Sequence, residues 1–409
     1  MIDLKRLTAV AAAAALIPLS LSACSSSPGS SGTTPTGSSG TVSKSLTIED
    51  TEAPTFDALY RMCGDKVGAK LTIDHVPSGD VTKALQQASS KTLPDVLELD
   101  NPTVQQFAAS GALSPLSSYG LSGKGDVPGV IAASTYKGEL YGLVPVTNTI
   151  ALYYNVKLLK AAGITPPTTW DELKADAKKL TTGSTYGFAM ANISSAEGTW
   201  QFLPFFWSNG GDEKDIATAA AAQALQFVHD LQNDGSMSKS SVSWGQVDVN
   251  NQFIAGKAAM MINGPWQLPA LNAVKGLEFA SVKVPTPTAT SNTVAPLGGS
   301  AYTVPNTGNK DTMALAGKFV DCFDSAEMQA KIAGVGGNVP TNETAAASWA
   351  KGHPQVASFV TTVKTARART GELGPDWPTA ETKIYTAVQL ALTGKASSAD
   401  ALSQAQASH

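Results

Sequence analysis

PDVLELD, residues 94–100, reads as a strand that closes on an acid, and the stretches before it decide the fold. KLTIDHV (70–76) alternates apolar and polar side chains as a half-buried strand does, and LTIE (46–49) opens the folded body as another short strand. Between those two, the stretch Phe56 to Val67 sets Phe56, Leu59, Tyr60 and Cys63 on one helical face, and Asp80 to Lys91 reads as a second helix. Strand, helix, strand, helix, strand is the pattern of a mostly parallel α/β sheet. Such sheets place ligands beyond the carboxyl ends of their strands, which makes Asp100 and Asn101 candidate contacts. The same two residues also read as a helix cap for the stretch after Pro102.

A second α/β region begins near Asn148. Thr169-Trp-Asp-Glu172 is a capping box, and Trp170, Leu173, Ala177 and Leu180 follow at helical spacing, so Trp170 reads as a core anchor. Thr185 to Met190 looks like a strand, Ala219 to Asp234 an amphipathic helix stopped by Gly235, and Asn250 to Gly256 a short helix before the strand Ala258 to Ile262. That strand runs directly into Asn263-Gly-Pro-Trp266, where Trp266 is either packed under a Gly-Pro turn or presented as a ligand platform. Val284 to Pro296 is a Pro/Thr-rich loop. Helices are expected over Asp311–Ala333, His353–Thr370 and Ala380–Thr393.

The amino terminus carries Lys5 and Arg6 and then an apolar run, Leu7 to Leu21, too short to span a bilayer comfortably. It ends in Leu21-Ser-Ala-Cys24, which resembles a bacterial lipobox and makes residues 1–23 a lipoprotein signal peptide with Cys24 the acylated residue. Acyl chains at about 0.8 kcal/mol per buried CH₂ would anchor the body without a transmembrane helix. The Ser/Gly/Thr/Pro tract over 24–44 is a tether with an r.m.s. reach of about 25 Å. A formal net charge of −4 without a Lys/Arg cluster argues against nucleic acid as a partner. Setting Cys24 aside leaves Cys63 and Cys322 of the three cysteines, either as one disulfide of an exported protein or as two buried thiols. No CxxC, HExxH or His-Cys cluster points to a metal, and no cofactor motif is present.

Several segments resemble, in order, the extracytoplasmic solute-binding proteins of ABC importers, family 1, the sugar-binding branch that includes maltose-binding protein. They are Pro94-Asp-Val with Leu99-Asp-Asn101, Gly138 to Pro145, Leu152-Tyr-Tyr-Asn-Val156, Thr169 to Leu173, Phe253 to Met260, Asn263-Gly-Pro-Trp266, Gly298-Gly-Ser300 and Asn338-Val-Pro340. Each is weak alone, and their collinearity over nearly the whole mature chain carries the resemblance. It implies a two-lobed periplasmic-binding-protein-like fold of type II, each lobe a mixed sheet flanked by helices, with a ligand cleft between them. The crossings would lie near Pro145–Thr149, Ala295–Gly298 and Thr341–Ala346, giving residues 45–146 and 298–342 to lobe 1 and 147–297 and 343–409 to lobe 2. Both Cys63 and Cys322 then fall in lobe 1.

A sugar needs carboxylates and amides for its hydroxyls and an aromatic face for its C–H surfaces. By resemblance, Asn148 stands at an acidic, hydroxyl-binding position of the maltose-type proteins, Trp200 near an aromatic platform and Trp266 as a platform of lobe 2, while Phe205, Phe206 and Trp207 look like helix core. Gly299 and Ser300 either let backbone approach a ligand or serve as a hinge. Glu52, Arg369 and Trp377 are further candidates, and the cleft as a whole is expected to carry little charge. The reading is a monomeric, non-enzymatic, lipid-anchored protein on the extracytoplasmic face of the cell membrane, passing a carbohydrate to ABC permease subunits. Two alternatives stand beside it: a secreted glycoside hydrolase using paired carboxylates, and a lipoprotein that senses a ligand without transporting it.

Overall fold

The computed structural model describes residues 44–76 and 81–408, so the expected signal peptide, Cys24 and nearly all of the tether lie outside the described residues. The strands in chain order are β1 (Lys44–Asp50), β2 (Ala69–His75), β3 (Val96–Asp100), β4 (Thr135–Tyr136), β5 (Glu139–Leu140), β6 (Gly142–Leu143), β7 (Val146–Asn148), β8 (Ala151–Asn155), β9 (Tyr186–Ala189), β10 (Ala258–Asn263), β11 (Phe279–Val282), β12 (Pro296–Thr303), β13 (Val339–Pro340) and β14 (Arg367–Ala368). They form two principal sheets, ordered β13-β7-β12-β3-β1-β2 and β11-β8-β10-β9, with β6 and β14 also on β12 and a β4–β5 hairpin apart.

The first sheet is mixed for a reason visible in its connections. β1 pairs in parallel with both β2 and β3 because a helix crosses over between each consecutive pair. β12 arrives from the second sheet and lies antiparallel to β3, with Ser300 opposite Asp100. Helices Asp57–Val67 and Lys310–Phe323 cover this sheet, and the Cys63–Cys322 disulfide joins them across a sequence separation of 259 residues. Tyr60 and Phe319 each stack on Phe323, in the same buried cluster as the two cysteines.

Around the second sheet the helices are set by local chemistry. Thr169 and Glu172 form the reciprocal capping box that starts helix Trp170–Leu180, whose buried face is Trp170, Leu173, Ala177 and Leu180. Trp170 stacks on Phe227 at 4.6 Å, as a core side chain.

Two expected helices differ. The stretch from Asp311 to Ala333 is two helices, Lys310–Phe323 and Ala326–Gly336, with Ser325 as the second N-cap. The stretch from His353 to Thr370 is helical only to Val363, and Arg367–Ala368 instead extend along Pro296–Leu297. Tertiary contacts override local propensity there: the Arg367 N–H donates to the Ala295 carbonyl at 2.8 Å, and its guanidinium bonds Glu213 at 2.7 Å above the Trp207 ring.

The chain passes from the first sheet to the second between β7 and β8, and back between β11 and β12. Buried threonines tie these passages together: Thr147 Oγ1 donates to the Gly298 carbonyl and Thr149 Oγ1 to Pro296, both at 2.7 Å, and Thr341 Oγ1 donates to Val144 at 2.6 Å. After β13 the helix Glu343–Gly352 packs against Ala326–Gly336 before the chain turns toward the second sheet.

Candidate functional site

Between the carboxyl ends of β1 and β3 on one side and the turn after β10 on the other lies a cavity of about 480 Å³. Trp266 stands on its second-sheet wall. The indole lies directly over Gly264, where an added Cβ would come within 1.9 Å of ring atom Cζ3. Gly264 has an ordinary φ of −105°, so the glycine is there for the ring that covers it. The turn is fixed from below: the Tyr153 hydroxyl donates to the Gly264 carbonyl at 3.0 Å, and Asn263 accepts from the Gly264 N–H while donating to the Gln246 carbonyl.

Trp200, in helix Ala196–Ser208, lies 6.3 Å from Trp266 with the planes inclined at 50°. It is only 6% exposed. The Arg369 guanidinium covers it at 4.6 Å, close enough for cation–π attraction. Arg369 also grips Asp100 with both terminal nitrogens, at 2.7 and 2.6 Å, and reaches Asn101 Oδ1 at 3.3 Å. Asp100 is therefore a partner of Arg369 and caps no helix with its side chain. Asn101 is buried behind it, outside the cavity lining. Gly298 permits this crowding, because a Cβ there would lie 2.2 Å from Asn148 Oδ1 and 2.6 Å from Trp200 Cη2. Gly299 holds φ at +144° against Val144, a conformation open to glycine.

The first-sheet wall is a floor of carboxyls. Glu49, Glu52, Glu98 and Asp100 line it, with Glu197 across the opening, against the single guanidinium of Arg369 among the described lining residues. The expectation of a low-charge cleft is corrected by this floor. Burial raises Glu98 above the usual carboxylate range, opposed by hydrogen bonds from Ser300 and from the Thr51 N–H and hydroxyl. Glu52 is pushed up to about 8, first by burial and then by the charges of Glu98 and Asp50. Glu197 is spent on structure: its carboxylate accepts from the Gln246 N–H at 2.8 Å and so fixes the start of helix Gln246–Ile254 at the cavity edge.

Trp266, Trp200, Asn148, Asp100, Gly299, Ser300, Glu52 and Arg369 thus meet in one cavity. Trp377 does not and is corrected. It is fully buried, faces Trp207 at 6.1 Å and donates to Glu381, whose own carboxyl burial pushes up to about 7. Glu49, Thr51, Glu98, Gln246 and Asn338 were not anticipated. Glu98 had a signal: it is the one acid inside an otherwise apolar strand, Val-Leu-Glu-Leu.

A family model described as bacterial extracellular solute-binding protein matches residues 58–358. A binding protein of Brucella abortus is 28% identical over 346 residues, covering 80% of this chain and 82% of the relative. The maltooligosaccharide ABC transporter solute-binding lipoprotein of Streptococcus pneumoniae is 27% identical over 321 residues, covering 70% and 69%. Among solved structures, maltose-bound T. maritima MalE3 superposes with a TM-score of 0.81 at 23% identity, over 89% of this chain and 98% of that one. The acarbose-binding GacH receptor of Streptomyces glaucescens gives 0.79 at 24%, over 89% and 97%. At these identities the two structures show the shared fold.

Proposed function

The chain belongs to the bacterial extracellular solute-binding family, and from that premise we propose that it captures a neutral carbohydrate in this cavity and delivers it to an ABC permease. The family is one of binding proteins, which removes the hydrolase alternative. The observation that carries the reading is the pairing of Trp266 and Trp200 with a row of carboxyls and amides across one cavity. An aromatic face takes the C–H surface of a sugar, and carboxylates with Asn148 take its hydroxyls. The maltooligosaccharide-binding relative supports the choice of ligand class.

Residues 45–146 with 298–342, and 147–297 with 343–409, act in this proposal as two lobes that close on the ligand about the threonine-tied crossings near 147–149, 296–298 and 341. The closed form is what the permease distinguishes. Acylation of Cys24 would hold a monomer at the outer face of the membrane, and Cys24→Ser is expected to lose palmitate labelling and to appear in the medium.

Calorimetry against glucose, maltose, maltotriose and tagatose, with chromatography for cleavage products, tests the central claim. One-to-one binding without turnover is expected. Failure of every saccharide to bind, or release of shortened sugars, overturns it.

A further inference from the structure

The carboxyls of the floor are not equivalent, and the difference lies in who answers each one. Glu49 is answered by Lys83 at 2.7 Å and by Gln87 at 2.9 Å. Asp50, fully buried behind the floor, is answered by His75, whose two ring nitrogens contact Asp50 at 2.6 Å and Asp57 at 2.9 Å. Burial alone would lower His75, but those two hydrogen bonds outweigh it and keep the imidazole charged to higher pH. Glu98 takes the Thr51 N–H and hydroxyl at 2.8 and 2.9 Å, and Asp100 takes both arms of Arg369.

Glu52 has no such partner. Its backbone N–H is used by Asp50 at 3.2 Å, and among the described residues nothing donates to its carboxyl, which lines the cavity with Glu98 and feels the charges of Glu98 and Asp50. The remaining titratable groups near it are Tyr60 and Tyr302, which bond to each other at 2.8 Å. Lys83 is engaged by Glu49 and Asp74, and among the described residues no cation pairs with Glu52. A carboxyl desolvated beside two acids avoids ionising, since only the neutral form costs no repulsion.

We infer that Glu52 meets the ligand as a neutral carboxylic acid that donates a hydrogen bond to an acceptor oxygen of an uncharged sugar. This rests on the carbohydrate reading above and adds to it a direction of donation and a class of preferred ligand. Ligand in the cavity removes more water from Glu52, so occupancy favours the proton further and binding above neutrality takes a proton up. A ligand with a carboxylate gains the donor but meets Glu98 and Asp100. A ligand with an ammonium group would instead expel the proton.

Two measurements on the full chain test this. In the unliganded protein with ¹³C-labelled glutamate carboxyls, one resonance should titrate near 8 and be missing from Glu52→Gln. Calorimetry of maltotriose, and of each other neutral sugar of the panel that binds at pH 6.5, should show affinity falling about tenfold or more by pH 9.5. At pH 8.5, heats in two buffers of different ionisation enthalpy should report proton uptake. Glu52→Gln should bind with an affinity of its own that no longer changes between pH 6.5 and 9.5. An affinity flat or rising with pH in the wild type, an unchanged pH profile in Glu52→Gln, or a Glu52 resonance in the ordinary carboxylate range overturns the role of Glu52 while sparing the carbohydrate reading. No binding by any neutral sugar at pH 6.5 overturns both.

Discussion

The two walls of the cavity are held by opposite kinds of physics. On the second-sheet side, Trp200 is buried in helix Ala196–Ser208 and Trp266 is pressed onto Gly264, so the wall is an outgrowth of the apolar core. On the first-sheet side, the other carboxyls are held by specific partners, Lys83, His75, Thr51 or Arg369, and Glu52 by none among the described residues. Packing fixes a surface collectively, whereas polar partners fix groups one at a time. The aromatic wall should therefore fail through stability, and the acidic floor through titration.

The sharpest way to break the comparison is Trp200→Ala. Removing a ring that is 94% covered and carries Arg369 on its face should cost about 3–5 kcal/mol of unfolding free energy and saccharide binding with it. A denaturation midpoint close to wild type would mean the platform is not part of the core. On the opposite wall, replacing both cysteines in Cys63→Ser/Cys322→Ser should cost about 2–5 kcal/mol. Saccharide Kd should stay within about twofold, because the bridge joins two helices and neither cysteine lines the cavity. A large loss of affinity in the double variant relative to wild type would show that the floor depends on packing after all.

Trp266→Ala separates platform from core within a single wall. Its indole is half-buried, so truncation should lower the unfolding free energy of the unliganded protein by about 1 kcal/mol or less while weakening saccharide binding by about 2–3 kcal/mol and removing the ligand-induced fluorescence change. If stability falls as far as in Trp200→Ala, Trp266 is core and the ligand sits elsewhere.

Reading the sequence reached the aromatic wall more readily than the floor. Trp266 sits in Asn-Gly-Pro-Trp, a turn whose glycine and proline announce themselves, and the strand-helix alternation from Leu46 to Asp100 announces the three parallel strands β1, β2 and β3 but none of the antiparallel strands that make the sheet mixed. Cysteine arithmetic leaves Cys63 and Cys322 as either one disulfide or two buried thiols, and the structure has them bonded. Trp377 misled because an isolated Trp near a chain end carries no sign of whether it faces Trp207 or solvent. The expected helix through Thr370 failed for a related reason: what draws Arg367 and Ala368 onto β12 is Glu213 and Ala295, both distant in sequence. Charge in the floor was hidden because Glu49, Glu52 and Glu98 come from two strands and a turn and converge only when β1 pairs with β3. Local periodicity reports which face is buried, not which acids will share it.

The smallest expected effect tests the floor alone, in the unliganded protein. Glu52 has a folded-state pKa of about 8 against an ordinary 4.5, so between those values the native state holds a proton that the unfolded chain has released. Stability attributable to Glu52 therefore falls as pH rises through that window, and the deficit is complete above about 8. Glu52→Gln cannot ionise. Its unfolding free energy should match wild type near pH 4.5 and exceed it by about 1–2 kcal/mol at pH 9, less than the whole shift implies because Glu98 and Asp50 share the strain. Denaturant melts of both proteins across that range supply the measurement. A difference that stays constant with pH would mean that Glu52 finds a partner in solution, and the contrast between a packed wall and a titrating floor would disappear with it.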